Sequence, residues 1–194
     1  MNKDVQRWIM HEGVQYFKEL GIVAGQLIVD FGCNTGHYTI PAAQVIGANG
    51  TVYAIDRERS AIDQLIKTAN AEGLGNIMPI ISDKPNIDLP AVSVDAVLLY
   101  DVLHYLNQYE REQLYQSINA ILKDSGILSV FPKHNQSNIP MWHLAELSNN
   151  DIIKEIERNH FILVGQDKKL LIHDDYFETG VIINFKKFQN KTKQ

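Results

Sequence analysis

The chain has 194 residues, 18 basic and 23 acidic side chains, a formal net charge of −5, and 45% hydrophobic and 21% charged residues. That length fits one well-packed domain better than two, and the composition is that of an ordinary soluble globular protein. No polybasic block suits a phosphate backbone beyond a thin tail of Lys186, Lys187, Lys191 and Lys193, so no nucleic-acid partner is expected. The single cysteine, Cys33, excludes an intrachain disulfide and a Cys-based zinc site. No apolar run approaches the roughly 18 residues of a membrane span, and Met1–Asp4 does not begin a secretory signal; a cytoplasmic setting is the expectation.

Residues 1–25 are amphipathic, with Val5, Trp8, Ile9, Val14, Phe17 and Leu20 at helical spacing and Gly21 as a stop. The segment reads either as a helix packed on a sheet or as a cap or lid, with Trp8, His11 or Tyr16 near a substrate. Leu27, Ile28 and Val29 form a short apolar run ending at Asp30-Phe31, the pattern of a buried parallel strand. A turn bounded by Gly32 and Gly36 follows, where two glycines permit positive φ and close approach of a ligand to the backbone. A helix is expected over 37–46, a strand over 51–55 stopping at Asp56, and a helix over 57–72 stopping at Gly73. A third strand, 77–81, ends at Ser82-Asp83, and 84–90, with two prolines, is a loop.

The fourth strand is expected over 94–100, running into Asp101-Val102-Leu103-His104-Tyr105. Asn107 and Glu110 make a capping pair for a helix to Lys123, and 127–131 is a fifth strand. The stretch 132–147 is irregular, and Ser148 caps a helix to Arg158. Two β-type runs, 161–166 and 181–185, close the chain, and 170–172 extends the first. Strands alternating with helices predict an α/β, doubly wound, Rossmann-like sheet of seven strands. It is mostly parallel, with the last two runs as an antiparallel edge hairpin. The whole reads as a single domain, 1–194, with a cofactor-binding core at 26–131 and a substrate side at 132–194.

Asp30, Asp56 and Ser82-Asp83 each stand at the carboxyl end of a strand, and those ends share one crevice in a doubly wound sheet. Asp56 falls about twenty residues after Gly36, where a carboxylate can accept both ribose hydroxyls and would repel a 2′-phosphate. Asp83, one strand further out, suits the exocyclic amine of a base. Asn34 stands where a dinucleotide fingerprint needs its second glycine, and no Gly-Lys-Ser/Thr follows the first strand. A ligand with a ribose and a base but no phosphate fits better.

Asp30-Phe31-Gly32-Cys33-Asn34-Thr35-Gly36 resembles the Asp-x-Gly-x-Gly-x-Gly signature of class I S-adenosylmethionine-dependent methyltransferases. Val52–Asp56 is similar to that family's second motif, Ser82-Asp83 to its third, Asp95–His104 to its fourth, and Leu122–Leu128 to the segment after it. The resemblance runs from about Leu20 to Phe131. The fourth motif is most like the small-molecule branch of ubiquinone and menaquinone biosynthesis. It implies S-adenosylmethionine as cofactor and a small-molecule methyl acceptor. By the same resemblance Asp30 faces the cofactor's amino group and the backbone of Gly32, Cys33, Asn34 and Gly36 approaches it. Asp56 holds the ribose, Arg57 lies along the adenine, Ser82 and Asp83 meet the adenine edge, and Tyr100 and Asp101 border the methionyl end. His104 is the candidate catalytic base if the acceptor must lose a proton. His134 and His143 are candidates for the substrate side. No metal is expected: two histidines and an acid could make a site, but their spacing matches no strong pattern. The chain lacks the Asn/Asp-Pro-Pro-aromatic run of amino-methylating nucleic-acid enzymes. The alternatives are a catalytically silent methyltransferase-like partner subunit and a nicotinamide oxidoreductase.

Overall fold

The computed structural model describes residues 2–188; Lys191 and Lys193 of the basic tail lie outside them. The chain forms α1 (Lys3–Arg7), a π-helical turn (Trp8–Glu12), α2 (Gly13–Glu19), β1 (Leu27–Phe31), α3 (Thr39–Ile46), β2 (Thr51–Asp56) and α4 (Arg59–Ala71). It continues as β3 (Ile77–Ile81), β4 (Val94–Tyr100), α5 (Gln108–Ile121), β5 (Leu122–Phe131), α6 (Asn149–Glu157), β6 (Phe161–His173) and β7 (Tyr176–Lys187). The seven strands make one sheet in the order β3-β2-β1-β4-β5-β7-β6. β1 to β5 pair in parallel, and β7 runs antiparallel to both β5 and β6. This is the expected α/β sheet with its antiparallel edge hairpin.

The sheet buries both faces, which is why its central strands read as continuous apolar runs. On one face Ile28, Ala54 and Leu98 pack under Trp8, Phe17, Ile40 and Leu65. On the other, Val29, Val97 and Val130 pack under Leu114, Tyr115, Ile118 and Ile156. The amino-terminal helical segment belongs to the first layer. Trp8 is fully buried, donates its indole N–H to the His37 carbonyl at 2.8 Å, and packs against the rings of Tyr16, Tyr38 and Phe177.

Helix ends follow their side chains. Asn107 and Glu110 close a capping box at the start of α5, and Ser148 and Asp151 do the same for α6. Three boundaries differ from expectation. α3 begins at Thr39, two residues later than the pattern suggested. β5 begins at Leu122, its early residues pairing with Val94 through an irregular register before the regular pairs from Ile127. The hairpin is far longer than two short runs: β6 and β7 pair continuously from Phe161↔Lys187 to His173↔Tyr176, with one bulge between Leu163 and Gly165. Most of β6 is solvent-exposed, so Gly165–Lys169 carries no apolar pattern to announce a strand.

That length matters for the site. β6 runs in the same direction as β5, because each is antiparallel to β7 between them. The carboxyl end of β6, His173, therefore emerges at the same edge of the sheet as the ends of β1, β2, β4 and β5.

Candidate functional site

The registers that pair Phe31 with Ile55, Asp56 with Ile81 and Tyr100 with Phe131 align the carboxyl ends of the parallel strands. Beyond them lies a cleft of about 450 Å³. Gly32, Asn34, Asp56, Arg57, Ser82, Asp83 and Asp101 line it, with Phe31, Ile55, Val102 and Leu106 as apolar walls. The cleft also takes in Glu58, Tyr105 and Asp174.

The turn that forms the floor is fixed by β2. Gly32 N–H and Cys33 N–H donate to the Ile55 carbonyl at 2.8 and 3.0 Å, and Asn34 N–H donates to Asp56 Oδ2 at 2.8 Å. Asp56 Oδ1 accepts the Glu58 N–H at 2.9 Å. Asp56 thus ties the turn to the start of α4 and keeps a further lone pair on each oxygen. Gly32, at φ 80°, and Gly36, at φ 91°, take the left-handed backbone foreseen for the turn. The space their missing Cβ atoms leave is filled by protein: a Cβ on Gly32 would lie 2.6 Å from Val102 Cγ2, and one on Gly36 would lie 2.2 Å from Leu65 Cδ1.

Four of the cofactor candidates lie outside the cleft lining. Asp30 is buried behind the turn and accepts the Thr39 hydroxyl at 2.6 Å. Burial, offset in part by that hydrogen bond, pushes its carboxyl up to about 7. Cys33 is buried, and desolvation with the charges of Asp30 and Asp56 raises its thiol far above the ordinary range. Gly36 is packed on Leu65. Tyr100 is buried in a hydroxyl chain, 2.6 Å from Tyr16 Oη and 2.7 Å from Ser129 Oγ.

His104 also lies outside the cleft lining, in the 3-10 turn Leu103–Tyr105, stacked on Trp142 at 5.2 Å between ring centroids. Burial pulls its imidazole down to about 4, against the opposing charge of Asp101, so it is neutral at pH 7. Around Asp101 the structure gathers His104, His134 and His173, at 3.5, 3.7 and 3.0 Å. The hydrogen bond to Asp101 raises His173, against partial burial. His143 is exposed in the turn Trp142–Leu144 and takes no part. Trp8, His11 and Tyr16 do not line the cleft. Sequence reasoning missed His173 and Asp174. The available signal was Asp174-Asp175, the two-residue loop that closes the hairpin, leaving His173 against Asp101 and Asp174 in the cleft lining.

The charge of the lining is one-sided. Among the described residues the lining sets Asp56, Glu58, Asp83, Asp101 and Asp174 against one basic group, Arg57, which is itself 3.5 Å from Glu58. Such a lining repels phosphates and favours a ligand with positive charge. Apolar walls beside carboxylate acceptors match an adenosyl group, whose hydroxyls and amine donate. The residues present therefore fit an adenosyl sulfonium better than a phosphate-bearing dinucleotide.

A family model described as a methyltransferase domain matches residues 28–126, over half of the chain. The chain belongs to the methyltransferase domain family. The matched stretch holds the glycine turn, Asp56, Asp83 and Asp101, and S-adenosylmethionine is the donor of the class I methyltransferases its motifs resemble. An aklanonic acid methyltransferase of Streptomyces sp. (strain C5) is 33% identical over 94 residues, covering 44% of this chain and 43% of that protein. A probable cobalt-precorrin-6B C(15)-methyltransferase (decarboxylating) of Saccharolobus solfataricus is 39% identical over 70 residues, 36% of this chain and 35% of that protein. The matches thus span less than half of these curated relatives. The crystal structure of a SAM-dependent methyltransferase from Aquifex aeolicus superposes with a TM-score of 0.72 at 19% identity, covering 93% of this chain and 92% of that one. That likeness carries the methyltransferase fold over almost the whole chain.

Proposed function

We infer that this methyltransferase transfers the methyl group of S-adenosylmethionine to a small-molecule acceptor. The observation that carries the reading is the cleft itself: five carboxylates and one guanidinium around apolar walls, beyond the aligned ends of the strands. When bound, the cofactor supplies a methyl group already activated by its sulfonium charge. The protein's part is then to hold, align and dry the site. Asp56 offers its free lone pairs to the ribose hydroxyls while its backbone bonds keep the turn in place. Asp83 accepts from the adenine amine. Phe31, Ile55, Val102 and Leu106 exclude water from the flat faces of the base. Asp101 stands at the methionyl end, and Asp30, bonded to the Thr39 hydroxyl, supports the turn from behind.

A small acceptor is supported by the substrates in the relatives' names, aklanonic acid and a cobalt-precorrin, and by the acidic lining, which opposes a polyphosphate. Methylation of a pyrimidine ring carbon through a cysteine adduct is disfavoured, because Cys33 is buried with its thiol held protonated.

The test is calorimetric titration with S-adenosylhomocysteine, on the native chain and on Asp83→Ala. Asp83 is exposed and makes no side-chain hydrogen bond or ion pair among the described residues, whereas removing Asp56 would also release the turn. Micromolar binding, about 8 kcal/mol, is expected, falling by roughly 1 kcal/mol in the variant. NADH should not compete. Absence of binding by the native chain, or equal binding of NADH, would overturn the assignment of the cleft.

A further inference from the structure

A carboxylate and three imidazoles converge where β4, β5 and β6 end. Asp101 Oδ2 lies 3.0 Å from His173 Nε2, and Asp101 Oδ1 lies 3.7 Å from His134 Nε2. His104, only 2% exposed, brings Nδ1 to 3.5 Å from the same Oδ1. Among the described residues neither Asp101 Oδ1 nor His104 Nδ1 has a hydrogen-bond partner.

The tautomer of His134 sharpens this. Its Nδ1 stands 3.0 Å from the Ile139 carbonyl, which only accepts, so Nδ1 carries the proton of the neutral ring. Nε2 then turns a lone pair toward a carboxylate oxygen. A lone pair facing a carboxylate, beside a buried oxygen without a donor, is an arrangement that a positive charge between them relieves, either a proton on Nε2 or a bound metal ion. The backbone is held unusually to produce it: Asp101 and His134 both adopt positive φ, 55° and 62°.

We propose that Asp101, His134 and His173 form a binding site for one divalent first-row transition ion of the zinc type. The three donor atoms lie within 4.8 Å of one another. The nearest approaches, 3.0 Å to Oδ2 for His173 and 3.7 Å to Oδ1 for His134, lie close to the roughly 3.0–3.4 Å that bond lengths near ~2.1 Å impose between neighbouring ligands, so a small side-chain adjustment suffices. Two imidazole nitrogens and one carboxylate oxygen favour zinc, cobalt or iron over magnesium or calcium, which take oxygen-rich cages. The Ile139 carbonyl orients His134 as outer-shell acceptors orient ligating histidines, and Asp174 Oδ2 stands 3.7 Å from His173 Nδ1 in a similar position. His104 packs edge-on against the His134 ring, 4.6 Å between centroids. Asp101 also lines the cleft, so the ion sits at the cleft wall. Three protein ligands leave positions for water or for an oxygen or nitrogen of the methyl acceptor. That last extension, a metal-chelating acceptor, rests on the methyltransferase reading; the ion site does not.

The experiment uses the full chain stripped with a chelator and titrated with Zn²⁺ or Co²⁺ alone, beside His134→Ala, His173→Ala and the exposed His143→Ala. One ion per chain is expected, with a ligand-field spectrum for cobalt and at least a tenfold loss of affinity in the first two variants. His143→Ala should bind as the native chain does. No ion bound by the native chain, or unchanged binding in His134→Ala and His173→Ala, overturns the site. Should those variants not fold, nitrogen NMR of the native chain decides: Zn²⁺ must shift Nε2 of His134 and His173, and unmoved resonances refute the proposal. Titration with S-adenosylhomocysteine alongside separates the two readings. Nucleoside binding without ion binding removes the metal site alone, and ion binding without nucleoside binding removes the cofactor assignment alone.

Discussion

At the scale of single residues, the strand ends divide their labour by depth. Asp56 and Asp83 look alike in the sequence, each an acid after an apolar run, and both line the cleft. Asp30 fits the same pattern, yet a turn and the Thr39 hydroxyl stand between it and the cleft. Sequence patterns report which strand end a residue occupies, not how far the following turn folds back over it. The depth has a measurable consequence. Folding lifts the Asp30 carboxyl from 3.8 to about 7, chiefly by burial. A group whose folded value is raised favours folding fully below the unfolded value, and that contribution is lost as pH rises through the folded value. The native chain should therefore lose stability relative to Asp30→Asn between about pH 4 and pH 7, with the difference constant above. The limit is on the order of 4 kcal/mol, from the span between the two values. Urea unfolding at pH 4 and pH 8 measures it; equal stability differences at both would contradict the burial argument.

Elements were legible where a cap, an apolar stripe or a continuous apolar run marks them. The capping boxes of α5 and α6, the apolar runs of β1, β2 and β4, and the stop at Gly73 all follow from local chemistry. What joins the elements was not legible. No pattern in the sequence singles out Arg111 on α5 or Glu155 on α6, but the structure buries both as a bidentate pair, each N···O distance 2.7 Å. Arg111 Nη1 also donates to the Leu106 carbonyl at 2.8 Å, and Leu106 is a wall of the cleft. The pair therefore anchors the α5–α6 layer and braces the cleft together. Glu155→Gln should cost about 3–5 kcal/mol, because it strands a buried guanidinium, while Arg111→Met combined with Glu155→Leu should recover most of that. Denaturant unfolding of the single and double variants checks it. The same blindness hid His173: its strand is exposed along most of its length, so only the pairing with β7 defines it.

On the scale of the whole molecule, strand order decides which residues can meet. The sequence predicts seven strands and an edge hairpin, and the sheet has both. It does not predict how far the hairpin reaches, and that reach brings His173 to Asp101 across 72 residues of chain. A cluster assembled from three strand ends has no spacing motif to find, which is why the expectation of no metal followed from sequence alone.

The position of β7 has a consequence for the order in which this molecule is made. The later strand of the hairpin is the inner one: β7 joins β5 through Leu128↔Phe185, Ser129↔Asn184 and Val130↔Ile183, and β6 touches β5 only through it. During synthesis β6 leaves the ribosome first and has nowhere to dock. Until β7 follows, β5 presents a bare apolar edge, the kind of edge that templates aggregation. Chains stopped after His173 should therefore precipitate or be bound by chaperones, whereas chains that include Lys187 fold. Pulse-labelled translation of the two lengths, scored by solubility, would show it. The polypeptide commits to its native state only when its inner strand arrives behind its outer one.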